Sequence, residues 1–224
     1  MVFGHKYIEF SSKIQKITSL FFVIFYTVGV IGMALSFTFP LFVKLIPWAL
    51  ILSFGALVFF HTGKFEGKTK LIFLLIYIVA YGVEAIGVNT GQLFGHYTYG
   101  EGLGFKLVDT PLIIGINWLF LVYTTAAVVE SFKVHALFKI VLASLGMLLY
   151  DIVLEQLAPK LDMWNWKNDV IPLQNYLAWF ALALFFQSVL TVFRIKIKNK
   201  LALLILGCQF LFFLSLLILF KLTQ

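Results

Sequence analysis

Asp151 and Glu155 lie four residues apart inside an apolar run of a 224-residue chain. On a helix that spacing places them on one face, one turn from each other. Burial in low dielectric and a second carboxylate nearby both favour the protonated form of a carboxyl group. A carboxyl so placed is a general acid available near neutral pH. A third acid, Glu84, opens a stretch that breaks the pattern of the chain, EAIGVNTGQLFGHYTYGEGLGFKLVDTP, running to Pro111. Asn117 and Asn175 are amides in other apolar runs, suited to orienting a water or a carboxylate, or to hydrogen bonding between helices. Blander roles exist for each acid: Glu155 as an interfacial partner of Lys160, and Glu84 as an interhelical hydrogen-bonding group. His96, in the same glycine-rich stretch, reads as a surface histidine more readily than as a base.

The elements that must hold these groups follow from composition. The chain is 62% hydrophobic and 12% charged, with mean hydropathy +1.00, and apolar runs of about 20 residues recur along it, as membrane spans require. Within lipid only a helix satisfies its own backbone without closing a barrel. The expected fold is therefore all-α: a polytopic membrane helix bundle of about seven transmembrane helices, one domain over residues 1–224, without internal repeats. The spans read Ile17 to Thr38, Leu41 to His61, Lys70 to Val88, Pro111 to Val129, Ala136 to Ala158, Leu173 to Phe193 and Lys200 to Phe220. Pro40 and a very short turn separate the first two. The polar N-terminal segment leads into a full span with no small-residue cleavage site, which reads as a retained first helix.

Twelve of the seventeen basic residues fall in the N-terminal segment and in alternate connections, among them Lys64, Lys68, Lys133 and Arg194 to Lys200. The positive-inside rule then puts the N-terminus in the cytoplasm and the C-terminus outside. On that topology Glu84 lies about one turn below the outer surface, and Asp151 and Glu155 lie in the outer half of the fifth span. The long connections Asn89 to Thr110 and Pro159 to Pro172 share that face. The first of them reads as a lid over a cavity, since loops of that length are commonly functional or disordered and its aromatics argue against disorder.

Several chemistries are excluded. His5, His61, His96 and His135 form no HxxxH or HxxHH cluster, so di-iron and haem sites lack ligands. Cys208, the single cysteine, allows no disulfide within the chain. The last span has no central lysine for a retinal Schiff base, and no Ser-His-Asp or Cys-His arrangement is visible. The glycines at 87, 91, 95, 100, 102 and 104 are followed by no Lys-Ser/Thr pair, so they form no phosphate loop. The net charge of +7 comes from topology-setting lysines, and no nucleic-acid partner is expected.

The order and spacing of the polar motifs resemble a known family. They are EAIGVNTGQLFG (Glu84 to Gly95) with Tyr97 and Tyr99, then LGFKL and Pro111 leading to Asn117-Trp118. Asp151-xxx-Glu155, Trp164-x-Trp166 and Pro172-Leu-Gln-Asn175 with Trp179 complete the set. Together they are similar to the membrane-integral carotenoid biosynthesis family of 1,2-hydratases, with the family-like catalytic part over about residues 80–190. Two positions depart from its pattern: Asp109 stands where a small or apolar residue is expected, and Gln156 where Pro is, the Pro coming at 159. The resemblance implies hydration of the terminal double bond of an acyclic carotenoid end group, such as that of lycopene or γ-carotene, to a tertiary alcohol, without a cofactor. It implies Asp151 as proton donor, Glu84 and Glu155 acting on water, and Asn89, Tyr97, Asn117, Trp164, Trp166, Asn175 and Trp179 binding or orienting the substrate. The implied partners are the carotenoid, the lipid bilayer and other enzymes of the pathway. The implied location is a bacterial inner membrane, with the site toward the non-cytoplasmic face.

Rival readings remain open at this point. A membrane lycopene cyclase begins with the same alkene protonation, but such enzymes resemble one another in a Pro-x-Glu-Glu/Asp motif that none of the five prolines opens here. A small proton-coupled transporter predicts polar residues in both halves of the bilayer. A non-catalytic carotenoid-binding or assembly subunit predicts pigment that copurifies unchanged. The paired tryptophans also fit an interfacial belt.

Overall fold

The computed structural model describes residues 2–62 and 65–222, with side chains from Lys13 onward. Lys64 and the side chain of Lys6, both among the twelve basic residues counted, lie outside the described residues. Among these residues run seven helices, each long and apolar enough to cross a membrane. They are α1 (Val2–Ala34), α2 (Phe39–Phe59), α3 (Gly67–Thr90), α4 (Ile113–Glu130), α5 (Ala136–Glu155), α6 (Leu173–Val192) and α7 (Ala202–Leu222). The chain is an integral membrane protein built as an all-helical bundle, as its hydropathy predicts.

α4 is the central post: 72% of its apolar window is buried, against 22–39% for the other spans. It packs against α3, α5, α7, α2 and α6. Gly115 allows this on the α3 side, because a Cβ there would stand 2.8 Å from the Tyr77 ring. The lipid-facing helices carry exposed Leu, Ile, Val and Phe instead, the inverse of a soluble surface.

Helix ends depart from the expected bounds for local reasons. α3 stops where Gly91 adopts a left-handed φ of 66° and its amide bonds the Gly87 carbonyl at 2.8 Å. α5 ends at Glu155 rather than Ala158, because the amides of Leu157 and Ala158 both turn back onto the Leu154 carbonyl. Pro159 disfavours helical continuation of the residue before it. Thr110-Pro111 is strand rather than helix.

The two long connections are not irregular. Strand β1 (Tyr97–Tyr99) of the first pairs antiparallel with β4 (Trp164–Trp166) of the second, Tyr97 opposite Trp166 and Tyr99 opposite Trp164. Between them in sequence, β2 (Lys106–Leu107) and β3 (Thr110–Pro111) form a hairpin. Its two turn residues, Val108 and Asp109, have φ of 52° and 56°, the double positive φ of a type I′ turn. Asp tolerates that conformation through its short polar side chain, which accounts for an acid at this position.

The glycines of the first connection permit close backbone approach. A Cβ at Gly100 would stand 2.3 Å from Asp162 Oδ1, and one at Gly102 would stand 2.3 Å from the Leu161 carbonyl. The amides of Gly100 and Gly102 bond Met163 and Asp162 carbonyls at 2.9 and 2.7 Å, and Glu101 N–H donates to Asp162 Oδ2. The two connections thus form one cap over one end of the bundle.

Candidate active site

β1 and β4 each have the pattern buried–exposed–buried. Because strand side chains alternate between faces, Y-T-Y and W-N-W turn four aromatic hydrogen-bond donors inward and leave Thr98 and Asn165 outside. The inward face lies over the ends of α3 and α5, where the carboxylates are.

Glu84, 3% exposed near the end of α3, accepts from Tyr97 Oη at 2.8 Å and Tyr99 Oη at 2.7 Å on Oε2, and from Trp118 Nε1 at 2.8 Å on Oε1. Burial, and after it the Glu84 charge, push both phenols upward in pKa, so they remain O–H donors. Glu155, 2% exposed at the end of α5, accepts from Trp164 Nε1 at 2.9 Å and Trp166 Nε1 at 2.7 Å on Oε2. Its Oε1 accepts from Asn175 Nδ2 at 2.7 Å. Lys160 is not its partner and lies over the Phe220 ring instead.

Asp151 is fully buried one turn below Glu155. Its Oδ2 is 3.5 Å from the same Asn175 amide, and its Oδ1 has no hydrogen-bond partner. Asp151 lies within electrostatic reach of both other carboxylates. The arrangement is asymmetric: two carboxylates are each wrapped by three donors, and the third is nearly bare. Buried polar atoms without partners are rare; among the described residues Ser144 Oγ is the other such side-chain atom.

Two cavities adjoin the cluster. A small one of about 10 Å³, lined by Glu84, Glu155, Asn175 and the inward aromatics of β1 and β4, is close to what one water requires. A larger apolar one of about 360 Å³ lies deeper and reaches Trp164 and Ile114, residues that also line the first. Asn117, 7% exposed, lines this larger cavity. Trp179 stacks on Trp118 with ring centroids 3.9 Å apart, closing the wall between α4 and α6.

The structure therefore gathers Glu84, Tyr97, Asp151, Glu155, Trp164, Trp166, Asn175 and Trp179 at one end of the bundle, with Asn117 facing the larger cavity. It does not bring Asn89 there: that side chain is exposed and donates to the Ala85 and Val108 carbonyls, strapping α3 to the hairpin. His96 is exposed, its carbonyl accepting from Lys167 N–H. Tyr99 and Trp118 belong to the cluster but stand outside the set of substrate-contacting residues expected from sequence. The period-two alternation around Thr98 was the signal for Tyr99. Nothing in the sequence separates Trp118 from its neighbour Asn117.

Fold and site together define a polytopic membrane protein with a capped, buried carboxylate cluster beside an apolar cavity. The chain belongs to the carotenoid biosynthesis protein family, whose model matches residues 45–223. It is similar to the bisanhydrobacterioruberin hydratase of Haloarcula japonica, 28% identical over 122 residues, which cover 51% of this chain and 42% of that protein. This chain thus spans less than half the length of that relative. No solved structure matches.

Proposed function

We propose that this protein adds water across the terminal double bond of an acyclic carotenoid end group, giving a tertiary alcohol. The observation that carries the reading is the asymmetric carboxylate cluster, two of whose members line a water-sized space beside an apolar cavity, in a member of a carotenoid biosynthesis family. The name of the Haloarcula relative agrees with it.

The donors around Glu84 and Glu155 suit ionised carboxylates, which accept only. Asp151 Oδ1, facing none, is the natural place for a proton. Asp151 passes that proton to the less substituted carbon of the alkene, whose π pair forms the new C–H bond and leaves a tertiary carbocation. The aromatic faces of Trp164 and Trp179 stabilise the cation. A water held between Glu84 and Glu155 supplies its lone pair to the cationic carbon. Its proton goes to a carboxylate oxygen with spare capacity, Glu84 Oε1 or Glu155 Oε1, each of which accepts one bond. Return of that proton to Asp151 along the face shared with Glu155 resets the site, and the net change is addition of one water. Asn175, contacting both α5 carboxylates, positions them. The chain's own groups suffice for this cycle, so the reading is of a cofactor-independent carbon–oxygen lyase.

With twelve of seventeen basic residues assigned to the opposite side, the proposal places the site on the non-cytoplasmic face of a bacterial inner membrane, in reach of other pathway enzymes. Expression of Asp151→Asn in a cell making lycopene or γ-carotene tests the assignment. Loss of hydroxylated pigment at normal protein level is expected, and undiminished product would refute it.

A further inference from the structure

The larger cavity is too small for the whole of a rod-like polyene, which is comparable in length with the roughly 30 Å hydrocarbon core. At about 360 Å³ it lies near the lower end of sites that enclose a drug-sized ligand, about 300–1,000 Å³. Only an end group fits, and the remaining chain must leave the protein somewhere. Its lining shows where. Most lining residues are buried, but Val28, Leu45, Trp48 and Leu52 line the cavity while being 50%, 42%, 66% and 43% exposed to the outside. All four belong to α1 and α2. A residue that faces both a cavity and the lipid surface marks a mouth.

The helices around the mouth differ from the others. α2 packs against α1 and α4, and only 22% of its apolar window is buried. Pro47 stands inside it, removing an amide from the helical ladder and weakening the helix at that level. Next to it, Trp48 borders the cavity on one side and, on the other, a second volume of about 380 Å³ shared across Leu103 and Ile113. The family match begins at residue 45, so α1 and the start of α2 lie outside the matched segment.

Resting on the hydratase reading, we propose that α1 and α2 form a lateral portal at which the substrate end group enters from the bilayer. The polyene stays in the portal and the lipid during turnover, and Trp48 sets the width of the opening. The occupant is a long unsaturated hydrocarbon: the mouth is lined by Val, Leu and Trp, opens on lipid, and continues an apolar cavity that meets, at Ile114 and Trp164, the small cavity lined by Glu84 and Glu155.

The test compares full-length proteins purified into liposomes containing an acyclic carotenoid. Val28→Trp and Leu52→Trp add bulk at the mouth on lipid-facing positions. Leu74→Trp, on an exposed face of α3 that lines neither cavity, controls for bulk alone. The expected result is a fall of at least tenfold in product formation at limiting carotenoid for the two mouth variants, with unchanged rate for the control. Trp48→Ala gives the opposite readout, a lower KM or acceptance of a bulkier end group, and it does not depend on added bulk being tolerated. Mouth variants as fast as the control, together with a Trp48→Ala variant of unchanged KM and selectivity, would overturn the portal. A wild-type protein that forms no hydrated product refutes the hydratase reading, and with it the portal as a route for that reaction's substrate. Wild-type turnover with unaffected mouth variants and an unchanged Trp48→Ala variant refutes the portal alone.

Discussion

The two ends of the bundle bury polar groups for different purposes. At the capped end, Glu84, Asp151 and Glu155 gather with seven side-chain donor contacts, and Glu84 and Glu155 line a space of water size. At the opposite end, the Tyr123 hydroxyl meets His61 Nδ1 at 2.8 Å and Asn199 Nδ2 at 3.0 Å, while Asn199 Nδ2 also donates to the Leu57 carbonyl at 2.7 Å. Thr62 N–H and Oγ1 both reach the Lys198 carbonyl. That network contains no carboxylate and adjoins neither cavity. It ties the end of α2 to the segment before α7 through hydrogen bonds between neutral groups. Buried neutral networks of this kind hold a fold. A buried carboxylate oxygen left without a partner, as at Asp151, costs stability, and on the proposed reading it carries the proton for the reaction.

The contrast predicts opposite responses to substitution. Asp151→Asn should lower hydration by roughly 10²–10⁴-fold, the usual contribution of a general acid, while changing thermal stability little, because Oδ1 has no bond to lose. A stability loss that accounts for the activity loss would erase the distinction. Glu84→Gln should reduce activity about 10²-fold and also destabilise by about 1–3 kcal/mol, since an amide nitrogen then faces O–H or N–H donors; unfolding in detergent measures the second effect. Trp166→Phe removes one of three donors from Glu155 and should cost about 1.5–3 kcal/mol, the range for a hydrogen bond to a charged group, with product still formed.

At the opposite end, Tyr123→Phe should cost about 1 kcal/mol and leave the pigment profile intact. The smallest effect is that of pH on the same network. Burial lowers the pKa of His61, so the folded protein resists its protonation. The contribution is fully present above the unfolded value of about 6.5 and is lost as pH falls through that value toward the folded one. A midpoint temperature that drops slightly below pH 6.5 in wild type, and less in His61→Gln, is the expected record.

Much of this end-to-end difference was legible in the sequence. Apolar runs located seven spans, because lipid leaves helices little choice, and lysine placement brought Glu84, Asp151 and Glu155 to a common end. The i, i+4 spacing of Asp151 and Glu155 correctly put both on one buried face. The cap was not legible as strands. β1 and β4 are three residues each and pair across more than a helix of intervening chain, so no local period carries the pairing. Asn89 looked chemical from its place in the loop, yet its amide is used by nearby carbonyls. Trp118 was hidden beside Asn117, because one residue of rotation on α4 separates a donor to Glu84 from a wall of the larger cavity.

The central claim is that water, and not a second alkene, captures the cation formed at this site. Cells making an acyclic carotenoid and expressing this chain should be grown in water enriched in heavy oxygen and their pigments analysed by mass. The account predicts a pigment heavier by one water, with the label in a new hydroxyl that is absent from the Asp151→Asn strain. A cyclised pigment of unchanged mass, or no new pigment at all, would contradict it.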